Sequence, residues 1–406
     1  MVDWNDVRRE FALDLNEAHF TCCFLATLPT PVRAAVERFR SAVAQNVMWA
    51  EQEFFGVGPL YHRVLRALSH YTGGSPDQIA LTSSTTSGLA AVYNGLRLKP
   101  TDEVVVTVHD HGVHQEVARM TAARFGARCR LIRLYDHPRH ATADEAAERL
   151  LAEIGPRTRV VGLPWVDSRT GVKLPLALIA EVVSGVNRSR SEQDHCLSVV
   201  DGVQGLGVED VDVARSGIDF FVAGTHKWML APSGTGFVWG ASGAWSHLMP
   251  SSAAIIPDID RWTDYWSAHE SGRPSPSPQA HWFSPGGFQA IEHRLAMADA
   301  VAFHEAIGRK QISDRILHLN AMMREELKTV EQVKLLTPED TRMASGLVCF
   351  HYGNDSARSV LGRLAEAGVY GTVTPDHVRP AVRLAAGLMN TPEQVTRVSR
   401  LLHEGL

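Results

Sequence analysis

The sequence predicts an α/β protein: a large domain with a mostly parallel sheet flanked by helices, and a smaller α+β domain at the C-terminal end. Short apolar runs bounded by glycine, proline or polar residues alternate with helical segments from about residue 79 to 240, as in a parallel sheet. After residue 289 helices and strands follow without that alternation. The chain of 406 residues is long enough for both units. We predict residues 20–289 for the large domain, and residues 1–19 with 290–406 for the small one.

The individual elements are predicted from apolar runs and turn signals. Strands are expected at 79–82, from Glu103 onward, and at 129–134, 158–163, 197–200 and 219–222. A glycine-rich turn at 233–236 leads into 237–239, which should be the antiparallel strand. The segment 241–285 is rich in Trp, Ser and Pro and has no clear period, so we interpret it as the rim of a site.

Composition excludes several classes of partner. The net charge is −5, and no stripe of Lys and Arg interleaves with aromatic residues, so the sequence does not favour nucleic-acid binding. No apolar run reaches the length that spans a membrane, and the N-terminus lacks the apolar stretch of a signal peptide. The five cysteines form no regular framework, which is typical of a reducing compartment and predicts a cytoplasmic protein.

Two charged residues follow predicted buried strands. Asp201 ends the run 197–200, and Lys227 follows the run 219–222 after a short turn. The carboxyl ends of parallel strands meet at one edge of a sheet, so both side chains should face the same crevice. An isolated pair of this kind is usually a structural ion pair. A lysine that forms a Schiff base and a carboxylate beside a pyridine nitrogen are also the two groups that pyridoxal phosphate requires.

The residues around this pair carry a resemblance to a known family. D-x-x-Q at 201–204, H-K-W at 226–228 and P-x-G-T-G-F at 232–237 occur here in the order found in the class V aminotransferase superfamily. The segment resembles its isopenicillin N epimerase-like and cysteine desulfurase-like branch. The resemblance implies the pyridoxal phosphate fold type I with a seven-stranded sheet, and a homodimer with active sites at the interface. It implies that Lys227 forms the Schiff base, Asp201 pairs with the pyridine nitrogen, Gln204 approaches the ring hydroxyl and His226 reaches the phosphate.

The resemblance also assigns a phosphate cradle. The turn before the helix that starts near Ser87 resembles the family's Thr-Thr phosphate turn, which places Thr85 and Thr86, with Ser84, at the phosphate. Serines and threonines before a helix are also ordinary N-caps. Many relatives have a serine where this chain has Gly224, and Thr225 is the candidate to supply that hydroxyl. Gly287 falls where family dimers send a threonine to the neighbour's phosphate, so only its backbone N–H could donate there.

Three histidines and one serine complete the candidate list on the cofactor side. His109, His111 and His114 suggest a zinc site, and hence a zinc hydrolase as an alternative function. The resemblance instead selects His111, after Asp110, as the imidazole that stacks on the pyridine ring, and leaves His109 as a loop residue and His114 as a helix-cap residue. Ser168 stands where cysteine desulfurases have an asparagine that contacts the ring oxygen.

On the substrate side, Arg383 lies in V-R-L-A-A-G-L-M-N-T, which resembles the family motif whose arginine holds the substrate α-carboxylate. No cysteine occurs from 368 to 383, which argues against cysteine desulfuration. We therefore expect a pyridoxal phosphate enzyme of secondary metabolism that acts at Cα or Cβ of an amino acid, by β-elimination from a cysteine S-conjugate. The open alternatives are an isopenicillin N-type epimerase, a decarboxylating or oxidative deaminase, an aminotransferase, and a catalytically silent binding protein.

Overall fold

The computed structural model describes residues 2–14, 16–254, 259–274, 276–376 and 379–405. The N-terminal region contains α1 (Trp4–Arg9), β1 (Ala18–His19), α2 (Thr30–Gln45), α3 (Glu51–Phe54) and α4 (Pro59–Thr72). α2 and α4 each have a proline in the first turn, where its fixed backbone angle suits a helix start. Gly73 ends α4 with a left-handed backbone conformation, which glycine adopts easily.

A seven-stranded sheet forms the centre of the protein, as predicted. Its strands are β2 (Ile79–Thr82), β3 (Glu103–Thr107), β4 (Arg128–Ile132), β5 (Thr158–Pro164), β6 (Leu197–Asp201), β7 (Phe220–Gly224) and β8 (Gly236–Gly240). Their order is β2-β8-β7-β6-β5-β3-β4. The pairs from β7 to β4 are parallel, and β8 runs antiparallel to both of its neighbours. The predicted mostly parallel sheet with its antiparallel strand is therefore confirmed.

Four helices connect these strands: α5 (Thr85–Gly95), α6 (Gly112–Phe125), α7 (Ala143–Glu153) and α8 (Leu176–Asn187). All of these strands except the edge strand β4 are almost entirely buried, because helices cover both faces of the sheet. Residues such as Val92 and Ala118 pack on one face, in a different apolar cluster from Ile179 and Leu150 on α8 and α7. This arrangement directs the carboxyl ends of β3, β5, β6 and β7 to one edge.

The segment 241–285 differs from the prediction, within the part that the structure describes. It contains the helix α9 (Ile259–Glu270), and its aromatic side chains form a buried cluster in which Tyr265 and Trp282 are fully enclosed. The rings of Trp262, Tyr265 and Trp282 lie 5.1–6.2 Å apart in pairs. Large aromatic surfaces gain by leaving water, so this segment contributes to the core rather than only to a rim.

The C-terminal region has the predicted α+β character. It comprises α10 (Ile291–Ile307), α11 (Arg309–Lys328), β9 (Val333–Leu335), β10 (Val348–Tyr352), α12 (Ala357–Glu366), β11 (Val369–Tyr370), β12 (Thr372–Val373), β13 (Val382–Leu384) and α13 (Pro392–His403). Four strands form a second sheet in the order β12-β13-β10-β9, and β1 pairs with β11. Among the described residues, no helix combines the length and apolarity needed to cross a membrane.

Candidate active site

The carboxyl ends of the central strands enclose a cavity. Nine of the eleven residues that the sequence assigns to the cofactor line it: Ser84, Thr85, Thr86, His111, Ser168, Asp201, Gln204, His226 and Lys227. They come from segments far apart in the chain, and they meet because β5, β6 and β7 are parallel neighbours that end at the same edge. The apolar residues Val113, Val166 and Val203, which the sequence did not single out, line the same cavity.

Lys227 and Asp201 face this cavity, and both have shifted pKa values. Burial lowers the pKa of the Lys227 amine to about 8, against the opposing effect of Asp201, and the Arg383 guanidinium adds to the lowering. Burial raises the pKa of Asp201, while His114 and Lys227 hold it down. Its Oδ1 accepts a hydrogen bond of 3.1 Å from the backbone N–H of Val203. An amine of this acidity is available both as a nucleophile and as a proton carrier near neutral pH.

One end of the cavity is formed by the start of α5. Ser84 caps the helix, and its Oγ accepts from the backbone N–H of Ser87 at 3.1 Å. The first N–H groups of a helix have no partner within the helix, so this end offers donors to an anion. His226 lies near the same end, since its imidazole and Thr85 Oγ1 approach the same point beside Gly224. Its pKa is lowered to about 4 by burial and by Lys227. A neutral imidazole there can donate one hydrogen bond without adding charge.

Gly224 lies between His226 and Thr85 at this end of the cavity. Its backbone N–H donates to Thr85 Oγ1 at 2.8 Å. A Cβ on Gly224 would lie 3.1 Å from His226 Nδ1 and 3.2 Å from Thr85 Oγ1. A serine at this position, as the family resemblance led us to expect, would therefore press its side chain against both residues.

Thr225, the predicted substitute for that serine, lies outside the cavity. Its side chain is fully buried, and its Oγ1 lies 2.5 Å from Thr235 Oγ1, so it ties the turn after β7 to the glycine-rich turn before β8. The structure therefore does not bring Thr225 to the phosphate end. Gly287 also lies outside this cavity, on a second one lined by Phe54, Tyr61 and Arg294. Its predicted role concerns a neighbouring subunit and remains a prediction.

The three histidines do not converge on one point. His111 caps α6 through Nδ1, which accepts from Val113 N–H at 3.2 Å, and it is the one that lines the cavity. His109 is buried and stacks on Tyr135, with ring centroids 3.7 Å apart, and its Nε2 accepts from the backbone N–H of Leu134. His114 lies inside α6, fully buried, so its interpretation as a helix cap is wrong.

These placements do not support the zinc hydrolase. Among the described residues, no group of three or more His, Cys, Asp or Glu side chains is arranged to hold a metal ion. Two of the three imidazoles already use their ring nitrogens in buried hydrogen bonds to Leu134, Tyr93 and Asp110.

Gln204 and its neighbours close the side of the cavity next to the N-terminal segment. The amide of Gln204 donates to the backbone carbonyl of Cys23 at 2.9 Å and accepts from Trp228 Nε1 at 3.2 Å. Trp228 of the H-K-W motif therefore orients Gln204 rather than touching a ligand. The carbonyl of Cys23 was not foreseen as a partner, because its contact spans 181 positions in the chain.

Ser168 lines the side of the cavity next to the C-terminal region, and Arg383 lies behind it without lining the cavity itself. Nη1 of Arg383 donates to the backbone carbonyl of Ser168 at 2.9 Å, and Nε donates to Thr372 Oγ1 at 3.0 Å. Arg383 is 5% exposed, and these two contacts fix the orientation of its guanidinium. Within the described residues, the buried Oγ of Ser168 has no hydrogen-bond partner.

The arrangement fits pyridoxal phosphate. The unsatisfied Ser168 hydroxyl and the helix start at Ser84 are features of a site built around a bound polar group. A lysine amine, a buried carboxylate and an anion cradle in one cavity are the donor set for this cofactor. The fold and the site thus define a pyridoxal phosphate-dependent enzyme of fold type I.

Comparison with known proteins supports this assignment. The family model "Aminotransferase class-V" matches residues 69–399, and the chain belongs to this family. It is 27% identical to isopenicillin N epimerase of Streptomyces clavuligerus over 414 residues, covering 99% of this chain and 98% of that protein. It is 25% identical to isopenicillin N epimerase of Amycolatopsis lactamdurans, covering 99% and 98%. A probable cysteine desulfurase of Vibrio cholerae is 22% identical over 82% of this chain and 79% of its own length.

Solved structures share the fold. A mutant of C-DES with glycine covalently linked to its PLP cofactor superposes with a TM-score of 0.84 and 22% identity, covering 99% of each chain. The complex of the cystine C–S lyase C-DES with cysteine persulfide gives a TM-score of 0.81 and 23% identity, covering 95% of this chain and 97% of that one. The predicted fold class and cofactor are confirmed.

Proposed function

We propose that this enzyme performs β-elimination on an amino acid with a sulfur leaving group at Cβ, a cysteine S-conjugate of secondary metabolism. The observation that carries the proposal is the pairing of the Lys227 amine, with a pKa of about 8, with the fixed guanidinium of Arg383 beside the same cavity. Bound pyridoxal phosphate would supply an electron sink for negative charge at Cα. The chain's own residues need only orient the substrate and move one proton.

Each side chain has a defined task in this proposal. Arg383 binds the α-carboxylate through the N–H groups that Ser168 and Thr372 leave available. Lys227, as a free amine, removes the proton from Cα and then returns a proton to the leaving sulfur. Asp201, as a carboxylate, would accept a hydrogen bond from the protonated pyridine nitrogen of the bound cofactor, and His111 would lie over its ring. No further acid is required, which is why elimination suits these residues.

Desulfuration through a protein thiol fits the cavity less well. Cys23 interacts electrostatically with Lys227, and Cys349 with Arg383. Both cysteines are fully buried. Cys349 lies on β10 opposite Arg383, and burial raises its thiol pKa well above the usual range. A thiol of this kind is a poor nucleophile.

Epimerisation is the second candidate, favoured by a different observation. The isopenicillin N epimerases align with almost the whole chain, including the N-terminal segment before residue 69 where the family model begins. Epimerisation requires proton delivery to both faces of Cα, whereas elimination requires a single base. The residue on the face opposite Lys227 would have to be His111.

One assay separates the two candidates. Purified holoenzyme is incubated in D₂O with a panel of cysteine S-conjugates and β-lactam-type amino acids, and the products are analysed by mass spectrometry and chiral chromatography. Elimination gives a free thiol, pyruvate and ammonia in equal amounts. Stereochemical inversion with deuterium at Cα, and no thiol, would reject elimination in favour of epimerisation.

We further propose a homodimer with active sites at its interface. Phe288 follows Gly287 and is 80% exposed, and its ring lies 4.8 Å from that of Phe54. Phe55 and Val57, which follow Phe54 in the chain, are also exposed. Exposed apolar surface of this kind favours a partner surface. Phe288→Glu should lower the molar mass measured by light scattering from dimer to monomer, whereas the exposed Met120→Glu on α6 should not; a wild-type monomer would reject the proposal.

A further inference from the structure

A chain of three buried side chains joins α5 to α6 beneath the cavity. Tyr93 Oη lies 2.8 Å from His114 Nε2, and His114 Nδ1 lies 2.7 Å from Asp110 Oδ1. Asp110 Oδ2 accepts from the backbone N–H and the hydroxyl of Thr107 at 3.0 and 2.7 Å. Tyr93 and His114 are fully buried and Asp110 is 1% exposed. Every member has a partner, so the geometry of the imidazole is fixed.

The sheet register places this group behind Asp201. A Cβ on Gly162 of β5 would lie 2.3 Å from Tyr93 Oη and 2.8 Å from His114 Nε2. Gly162 pairs with Val199 of β6, and Pro164 pairs with Asp201 two residues later. Side chains two residues apart in a strand share a face. His114 therefore lies on the face of the sheet that carries Asp201, about 7 Å further from the strand ends.

The protonation of His114 and that of Asp201 are linked electrostatically. Burial by itself would lower the pKa of His114, but Asp110 outweighs it by charge and hydrogen bond, with a further effect of Asp201, and the pKa is raised. The charged or titratable groups that influence Asp201 are Lys227, His114, Asp110 and His111. Of these, His114 lowers the pKa of Asp201 most, and Asp110 opposes it less strongly.

We propose that His114 is a positioning residue that carries a buried positive charge behind Asp201 and keeps that carboxylate ionised. In this state Nδ1–H donates to Asp110 and Nε2–H donates to Tyr93 Oη, so both protons of the imidazolium are bound. The ionised Asp201 then leaves the shared proton on the pyridine nitrogen of the bound cofactor. The inference rests on the role proposed for Asp201 and extends it to three residues that do not line the cavity.

The test measures the position of that proton directly. Wild type, His114→Asn and Asp201→Asn are reconstituted with pyridoxal phosphate labelled with ¹⁵N in the ring, and the ¹⁵N chemical shift is recorded. Wild type should give a protonated nitrogen, Asp201→Asn an unprotonated one, and His114→Asn a shift between them. The acid limb of cofactor affinity against pH should move up by about one pH unit in His114→Asn, so that binding on that limb weakens about tenfold.

A matched pair of variants controls for structural damage. Tyr93→Phe removes the hydroxyl bound to His114 and should shift the ¹⁵N resonance in the same direction by a smaller amount. Tyr265→Phe removes an equally buried hydroxyl that lies near Arg97, away from the cavity, and should leave the resonance unchanged. Should His114→Asn not fold, Asp110→Asn is measured in its place, because it removes the charge that holds the proton on His114.

The outcomes distinguish the inference from the proposed function. A wild-type ¹⁵N shift and acid limb in His114→Asn, or in Asp110→Asn where that variant replaces it, would overturn the role of His114 while leaving Asp201 in place. An unprotonated nitrogen in wild type, or an unchanged shift in Asp201→Asn, would instead reject the role of Asp201 itself.

Discussion

Replacing Arg383 gives the sharpest test of how the site binds its substrate. Its guanidinium is buried and held by the Ser168 carbonyl and the Thr372 hydroxyl, so its remaining N–H groups are already oriented before a ligand arrives. Removing one partner of such a desolvated, charge-assisted pair costs about 2–5 kcal/mol. Arg383→Ala should therefore lower kcat/KM for an amino-acid substrate roughly 30- to 4,000-fold. Arg383→Lys keeps the charge but loses the paired geometry, and should fall between wild type and Arg383→Ala.

The measurement is steady-state kinetics together with titration of cofactor binding. Cofactor affinity should change little, because Arg383 touches the wall of the cavity through Ser168 and is not part of the cradle at α5. Arg324→Ala and Arg324→Lys serve as the matched controls, since Arg324 is a buried arginine of α11, whereas Arg383 is hydrogen-bonded to the cavity-lining residue Ser168. If Arg383→Ala retained kcat/KM within about twofold of wild type while binding cofactor normally, the carboxylate role would have to be abandoned.

Three further predictions concern the cofactor side of the site. Borohydride reduction of the holoenzyme should attach the cofactor to the peptide that contains Lys227, and Lys227→Ala should show no label; mass spectrometry would expose a label on another lysine. Because the Lys227 pKa falls to about 8 in the folded protein, the unfolded chain binds more protons above that pH, and the stability of the cofactor-free enzyme should rise with pH from about 8 towards the ordinary lysine value. Lys227→Met should flatten this rise in denaturant titrations, and an unchanged slope would show that the amine is not desolvated. Thr85→Val should weaken cofactor binding about tenfold, the effect of one lost hydrogen bond to an anion, whereas Thr225→Val should not; equal effects would contradict their placement.

The sheet and the positions of Asp201 and Lys227 were predictable because they depend on local patterns. Short apolar runs with polar residues after them identify strands and their carboxyl ends, and the parallel topology then brings those ends together. The family resemblance, rather than these local patterns, supplied most of the remaining cavity lining. Thr85 and Ser84 were assigned because their turn between a strand and a helix resembles the family's phosphate turn.

The direction of the Thr225 side chain was not predictable from the same patterns. The sequence indicated that the strand ends at residue 222, whereas β7 continues to Gly224. Side chains alternate between the two faces of a strand, so an error of one or two residues at its end leaves the direction of the next side chain undetermined. Pairing between Thr225 and Thr235 then depends on the turn that precedes β8.

Burial that depends on contacts between distant segments of the chain also could not be predicted from the sequence. His114 was interpreted as a helix cap once the resemblance had selected His111, and only the packing of α5 against α6 shows that it meets Tyr93. One local signal was present: Asp110 and His114 are four residues apart at the start of a helix, a spacing at which side chains meet. The aromatic segment 241–285 gave no period, because its rings are buried through irregular chain as well as through α9.

Gly162 restricts the substitutions that this protein can accept during evolution. A single methyl group there would collide with Tyr93 from α5, Val106 from β3 and His114 from α6, at 2.3, 2.6 and 2.8 Å. A larger residue at this position thus becomes tolerable only after several of its neighbours have been replaced. The order of substitution therefore matters, because position 162 must remain glycine as long as Tyr93, Val106 and His114 keep these positions.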